Sequence, residues 1–197
     1  MLALAAVLAA VLAPQPPPLV DVSRAIPDAV PELAYATDRN FTGRVLYPAG
    51  ARCLLLRPVA DRLVRAAERL RRLGFRLRLY DCYRPLAVQR ELWRRYPKRG
   101  FVADPRWGSN HNRGAAVDVG LALPDGAEVE LPTPFDAFEP RAGAFATAGI
   151  SPAAIRHRDL LRRAMEAEGF RPNRREWWHF DAPEARGARV LDLPMAP

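Results

Sequence analysis

One stretch constrains this chain more than any other: Ser109-Asn110-His111-Asn112-Arg113-Gly114-Ala115-Ala116-Val117-Asp118. It holds one of only three histidines in 197 residues, followed by an aspartate inside an otherwise apolar run. A second histidine lies far downstream, in Glu176-Trp177-Trp178-His179. Two imidazoles and a carboxylate make a three-ligand zinc site with a fourth position left for water, the usual catalytic arrangement. Glu176 then reads as a general base beside that water. On spacing alone a plainer reading stays open: His111 a loop residue, Asp118 a buried hydrogen-bonded carboxylate, His179 a core histidine.

The local pattern bears on the choice. Ala115 to Leu123 alternates with period two. Val117, Val119, Leu121 and Leu123 face one way, and Ala116, Asp118, Gly120 and Ala122 the other. Asp118 is thus expected on a face of small residues, with room for a ligand. An unpaired carboxylate there is costly, so a metal or an arginine must compensate it. Gly114 lets the backbone bend so that His111 folds back toward Asp118. Phe170 to Asp181 reads as a central aromatic strand. Residues three apart in a regular strand face opposite ways. Glu176 can therefore share a site with His179 only from a turn or bulge at the strand entrance.

The remaining elements follow from punctuation and periodicity. Pro58 to Leu73 reads as a helix, with Pro58 in its first turn and Gly74 as its stop. Val59, Leu63, Ala66, Ala67, Leu70 and Leu73 form its apolar stripe. Phe75 to Tyr80 alternates as a half-buried strand. It runs into Asp81-Cys82-Tyr83-Arg84-Pro85, where the proline holds Arg84 extended at the strand end. Pro85 to Tyr96 is a second helix. Pro124-Asp125-Gly126 is a turn, and Ala127 to Leu131 the expected return strand of a hairpin. Residues 132–150 are long enough to wall or cover a pocket. Ser151 and Pro152 open a third helix, on which His157 is expected to face solvent. Tyr35 to Gly43 reads as an ordered loop, and the tail from Pro183 as loosely packed. The order of elements predicts an α+β domain, an antiparallel sheet with flanking helices.

Residues 1–18 read as a separate piece: a signal-like apolar segment, Met1 to Ala13, and a proline-rich spacer. Residues 19–197 read as a single catalytic domain. The apolar segment is too short to span a membrane as a helix, so no stable span is expected; export to a periplasmic or other extracytoplasmic place is expected, with the cytoplasm as the alternative if the segment is not a signal. In an exported chain the pair Cys53 and Cys82 suggests a disulfide closing a loop of about 30 residues. The formal charge is +8, and Lys98 is the one lysine among 30 basic residues. These arginines are spread over helices and loops with no basic block interleaved with aromatics, which argues against nucleic acid as a partner.

At Ser109, His111, Gly114, Asp118 and Glu176-Trp177-Trp178-His179 the chain resembles zinc D-alanyl-D-alanine dipeptidases of the VanX type. These belong to the zinc D,D-peptidases, which share lysostaphin-like and hedgehog-like folds. Further matches are Tyr35-Ala36-Thr37, Asn40-Phe41-Thr42-Gly43, Tyr83-Arg84-Pro85, Pro134-Phe135-Asp136 and Gly169-Phe170. The resemblance implies one zinc per chain on His111, Asp118 and His179, with Glu176 as catalytic base and Arg84 stabilising the oxyanion. It implies that Tyr35 and Asp136 hold the substrate ammonium, with Ser109 near its carboxylate. The implied activity is hydrolysis of a small D,D-dipeptide in cell-wall turnover. The alternatives are a D,D- or L,D-carboxypeptidase on longer wall peptides, or a wall-binding module without catalysis. The loop Ala137 to Ala144 departs from the family pattern, which bears on specificity more than on chemistry. Oligomeric state is not legible.

Overall fold

The computed structural model describes residues 19–98 and 100–195. The expected signal-like segment and spacer, residues 1–18, lie outside the described residues. In chain order the strands are β1 (Leu19–Asp21), β2 (Val30–Pro31), β3 (Leu54–Leu56), β4 (Arg76–Asp81), β5 (Ala116–Ala122), β6 (Arg171–Asn173) and β7 (Glu176–Asp181). The helices are α1 (Val22–Ala25), α2 (Arg57–Arg72), α3 (Leu86–Arg95) and α4 (Pro152–Glu166). The main sheet runs β2-β4-β5-β7-β6, and β1 pairs separately with β3. Its pairings are antiparallel except for β2 with β4, which is parallel. The α+β expectation holds, with one parallel pair at the edge.

The helices form where periodicity and caps place them. Val59, Leu63, Ala66, Ala67 and Leu70 of α2 are buried against the sheet. Fully burying a leucine such as Leu63 or Leu70 contributes about 1.5–3 kcal/mol. Leu73 does not join the stripe: α2 ends at Arg72, the chain reverses at Gly74 (φ +81), and Leu73 is left 58% exposed. On α4, Ser151 Oγ accepts from Ala154 N at 3.1 Å and Pro152 occupies the first turn. α2 and α4 pack together over one face of the sheet. Leu77, Leu79, Val117, Val119, Leu121 and Phe180 complete that core.

Four expectations need correction. Strand β4 is not half-exposed: Arg78 is buried too, paired with Glu32 and donating to Gly126 O at 2.9 Å. Segments leading into and out of the sheet cover that second face. Ala127 to Leu131 is not a strand, and a single bridge joins Ala122 to Glu128. β7 pairs only with Ala116, Val117 and Asp118, and the returning segment meets the rest of that β5 edge at this one bridge without extending it into a ladder. Phe170 to Asp181 is a hairpin, not one central strand. Asn173 Oδ1 accepts from Arg175 N at 3.0 Å and turns the chain. The central strand is β5. The tail is not loose: Leu191 N donates to Asn112 O at 2.8 Å, and Leu191 and Met195 are buried.

Cys53 and Cys82 form a disulfide with Cα atoms 5.1 Å apart and a sequence separation of 29. Cross-linking a loop of this size removes chain entropy from the unfolded state, by about 3–4 kcal/mol in the simplest model. Reducing the bond should therefore lower unfolding free energy by about that amount. A urea melt of the Cys53→Ala/Cys82→Ala variant beside the parent chain checks it.

Candidate metal centre

Register assembles the site. Asp81 of β4 pairs with Asp118 of β5, and Asp118 pairs with His179 of β7. Residues opposite one another across neighbouring strands share a face, so three side chains from three strands converge. The small-residue face does not itself hold the ligand space, however. A Cβ on Gly120 would fall 2.7 Å from Tyr80 Oη, because the Tyr80 ring fills that space and stacks on Phe135. The open space lies at the strand ends.

His111 arrives from a short 3-10 turn, His111–Arg113, just before β5. Gly114 ends the turn at φ +64, and a Cβ there would sit 2.6 Å from Leu19 Cδ2. A side chain at this position would be strained by the backbone conformation and would require Leu19 to shift. The bend brings His111 Nε2 within 3.1 Å of His179 Nδ1 and 3.3 Å of Asp118 Oδ1. His179 Nδ1 lies 3.0 Å from Asp118 Oδ1.

These atoms suit a cation. Ligands about 2.0–2.2 Å from a tetrahedral metal stand roughly 3.3 Å from one another, which is close to the separations here. The opposite ring nitrogens are engaged: His111 Nδ1 with Cys82 O at 2.7 Å, His179 Nε2 with Asp181 Oδ1 at 2.9 Å. A carbonyl oxygen can only accept, so His111 carries its hydrogen on Nδ1 and turns a lone pair on Nε2 toward the cluster. Burial works against a charged His179, yet Asp118 and Asp181 together raise its pKa well above the ordinary value. Burial likewise pushes Asp118 up, but His111 and His179 hold it below the usual carboxylate range. Both shifts express one demand, a positive charge at the centre of the cluster.

Two further groups face the same cavity of about 340 Å³. Glu176 opens β7 opposite Asn173, next to a register shift between Pro172 and Asn173, which is how it joins the site despite standing three residues from His179. Burial pushes its pKa up to about 7, and Asn173 Nδ2 donates to its Oε2 at 2.7 Å. Arg84 is buried, donating to Asp81 Oδ2 from Nε (2.9 Å) and Nη2 (2.6 Å) and to Gln89 Oε1 from Nη1 (2.9 Å). A guanidinium has five donors; three are used here, and Nη2 also stands 3.9 Å from Asp118 Oδ2.

Tyr35, Ser109 and Asp136 line the cavity as well. Tyr35 Oη donates to Asp136 Oδ1 at 3.4 Å, and Phe41 N lies 3.4 Å from Asp136 Oδ2. Asp136 takes a left-handed φ of 62. Burial first, then the Asp118 charge, raise its pKa well above the usual carboxylate range. Ser109 Oγ accepts from His111 N at 3.2 Å. Residues 132–150 thus do wall the pocket, through Asp136 and Phe138. His157 stands apart, its Nδ1 2.8 Å from Glu130 O and its ring partly covered by Phe75.

Sequence reasoning missed the supporting shell. Asp81 holds Arg84, accepts from Tyr47 Oη at 2.6 Å and lies 3.6 Å from His111 Nδ1. Asp181 orients His179 and accepts from Asn110 Nδ2 at 2.8 Å. Two signals were available: a carboxylate closing an alternating strand, and a carboxylate two residues after His179 on the same strand face. Gln89 and Asn112 gave none, since their partners are backbone groups or side chains set by the fold.

A His-Asp-His cluster with a carboxylate and a guanidinium in one cavity defines a metal-dependent hydrolase, here a metallopeptidase. The chain belongs to the M15 peptidase family described as D-ala-D-ala dipeptidase, whose model matches residues 17–194. It is 38% identical over 173 residues to a D-alanyl-D-alanine dipeptidase of Escherichia coli, covering 88% of this chain and 89% of that one. It is 34% identical over 170 residues to a protein of the same name from Enterococcus faecalis, covering 74% and 82%. A third, from Streptomyces coelicolor, is 34% identical over 187 residues, covering 82% and 90%. A metal is the cofactor of this family, and the His111-Asp118-His179 cluster is where these residues fit one.

Partners that orient metal-ligating histidines typically contribute 10–100-fold to affinity. Asp181→Ala should therefore weaken metal binding by roughly that factor, measured by competition with a chromophoric chelator.

Proposed function

We propose that this chain hydrolyses D-alanyl-D-alanine to D-alanine with one zinc ion held by His111, Asp118 and His179. The observation that most supports it is the ligand cluster itself: two imidazoles and a carboxylate whose donor atoms lie within 4.8 Å of one another. Two nitrogens and one oxygen as protein ligands, with a position left open, are a donor set characteristic of catalytic zinc. Zinc held there would supply Lewis-acid polarisation of the peptide carbonyl and would make water a better nucleophile near neutrality.

The chain's own residues do the rest. Glu176 takes a proton from the attacking water on the carboxylate oxygen that Asn173 leaves free, then delivers it to the departing amine. A carboxyl raised to about 7 by burial can both accept and release a proton near neutrality. Arg84, clamped by Asp81 and Gln89, lines the cavity and stabilises the developing oxyanion. A donor already fixed in place needs no reorganisation when charge develops, which is why such groups stabilise transition states strongly. Asp136 and Tyr35 receive the substrate ammonium; the raised pKa of Asp136 reflects a buried carboxylate awaiting a cation. Ser109, which lines the same cavity, serves as a binding group for the substrate carboxylate.

Further parts of the reading rest on the sequence. Residues 19–197 act as one catalytic domain. The apolar segment Met1 to Ala13 supports export, and the Cys53–Cys82 disulfide fits an oxidising compartment. Turnover of cell-wall dipeptide is the corresponding role.

Glu176→Gln should keep its metal and release D-alanine roughly 10²–10⁴-fold more slowly than the parent chain. D-Alanine assays on the zinc-loaded protein, a chelated sample and this variant test both claims. Release at the parent rate by the variant removes Glu176 from the chemistry. No release by a zinc-containing parent chain removes the dipeptide.

A further inference from the structure

A second concavity, of about 580 Å³, lies where the end of α2 meets α4 and shares no lining residue with the catalytic cavity. Its floor is apolar, formed by Leu73, Ile155 and Leu160. Leu73 is 58% exposed, and Ile155 and Leu160 are partly so. Its rim is cationic. Arg72, Arg156 and Arg163 line it, all exposed, and none of the three has an acidic partner among the described residues. Arg69 also lines it but is bound to Glu168 at 2.5 Å. The one acid of the lining, Asp159, is engaged by Arg158 at 3.0 Å and by Arg162 at 3.7 Å.

Elsewhere on these helices the arginines are matched with acids, Arg57 at the start of α2 excepted. Glu168 takes Arg65 and Arg69, and Glu166 takes Arg162. Only around the apolar floor are three guanidinium groups left together. An exposed apolar patch with a charged rim marks an interaction surface, and this rim selects a partner with negative charge above apolar material. A second copy of the chain fits poorly, because a two-fold contact would set arginine against arginine. An anionic phospholipid surface fits both features: phosphates meet the arginines, and acyl chains meet Leu73, Ile155 and Leu160.

We infer that the α2–α4 groove docks this enzyme on an anionic lipid bilayer. The catalytic cavity draws on other residues and stays open to small peptides. The inference does not depend on the identity of the metal or the dipeptide.

The full chain is sedimented with phosphatidylcholine vesicles, with and without phosphatidylglycerol. Binding should require phosphatidylglycerol. It should weaken strongly between about 0.1 M and about 1 M salt, as screening shortens from ~10 to ~3 Å. Arg72→Gln/Arg156→Gln/Arg163→Gln should bind on the order of 100-fold more weakly, and Leu73→Asn several-fold more weakly. The control is Arg44→Gln/Arg57→Gln/Arg186→Gln, which removes the same charge from exposed sites outside the groove. It should bind nearly as the parent does. The segment Met1 to Ala13 is common to every sample and drops out of the comparison. Equal losses in both triple variants would overturn the groove in favour of net charge alone. Binding without preference for phosphatidylglycerol, or unchanged in the groove variant, would overturn lipid docking. Urea melts and dipeptide turnover of the groove variant should match the parent, which separates this result from misfolding and from failure of the proposed activity.

Discussion

The structure turns on a buried electrostatic demand. Asp118 is almost wholly buried and meets two imidazoles whose opposite nitrogens are already engaged by Cys82 O and Asp181. Burying a carboxylate without compensation is costly, and here the compensation converges from three separate places in the chain. His179 is brought by strand pairing, His111 by a turn that Gly114 closes in the left-handed region, and Arg84 by the short segment between β4 and α3. The sheet register that aligns Asp81, Asp118 and His179 is therefore also what makes the site. A one-residue slip between β5 and β7 would move His179 to the other face.

Around that centre sits a shell that fixes orientation. Asp81 reaches Arg84, Tyr47, Cys82 N and the neighbourhood of His111, so one buried carboxylate links two functional groups. Gln89 bridges Arg84 to Ala103 O at 2.8 Å, and Asn112 bridges Arg84 O to Ser109 N. The Cys53–Cys82 bond closes its loop at the residue whose carbonyl orients His111. The C-terminal tail, through Leu191 and Leu193, ties down the same region. Stability and site geometry thus draw on the same contacts, as a preorganised site requires.

Much of the fold was legible because its elements are locally consistent. Proline and serine opened α2 and α4, glycine closed them, and alternation marked β4 and β5. The failures were non-local. Ala127 to Leu131 carries a strand pattern, yet it meets β5 at a single bridge and forms no ladder. Arg78 looks solvent-facing in an alternating strand, yet neighbouring segments cover it and supply Glu32. Leu73 fits the helical stripe, yet the helix stops one residue short of it.

The sequence by itself determined the chemistry available: two histidines, Asp118, Glu176 and Arg84 in contexts that matched a metallopeptidase family. It also allowed Gly114 to bend the chain, and it permitted Glu176 to share the site only from a turn or bulge at the strand entrance. Tertiary structure alone decided which nitrogen of each histidine faces the centre. It likewise decided that Asp81 and Asp181 support the site, and that Glu176 is buried enough to hold a proton near neutrality. Those outcomes depend on cross-strand register, on hydrogen bonds between residues up to 71 positions apart, and on the exclusion of water. Local residue pattern encodes none of these by itself.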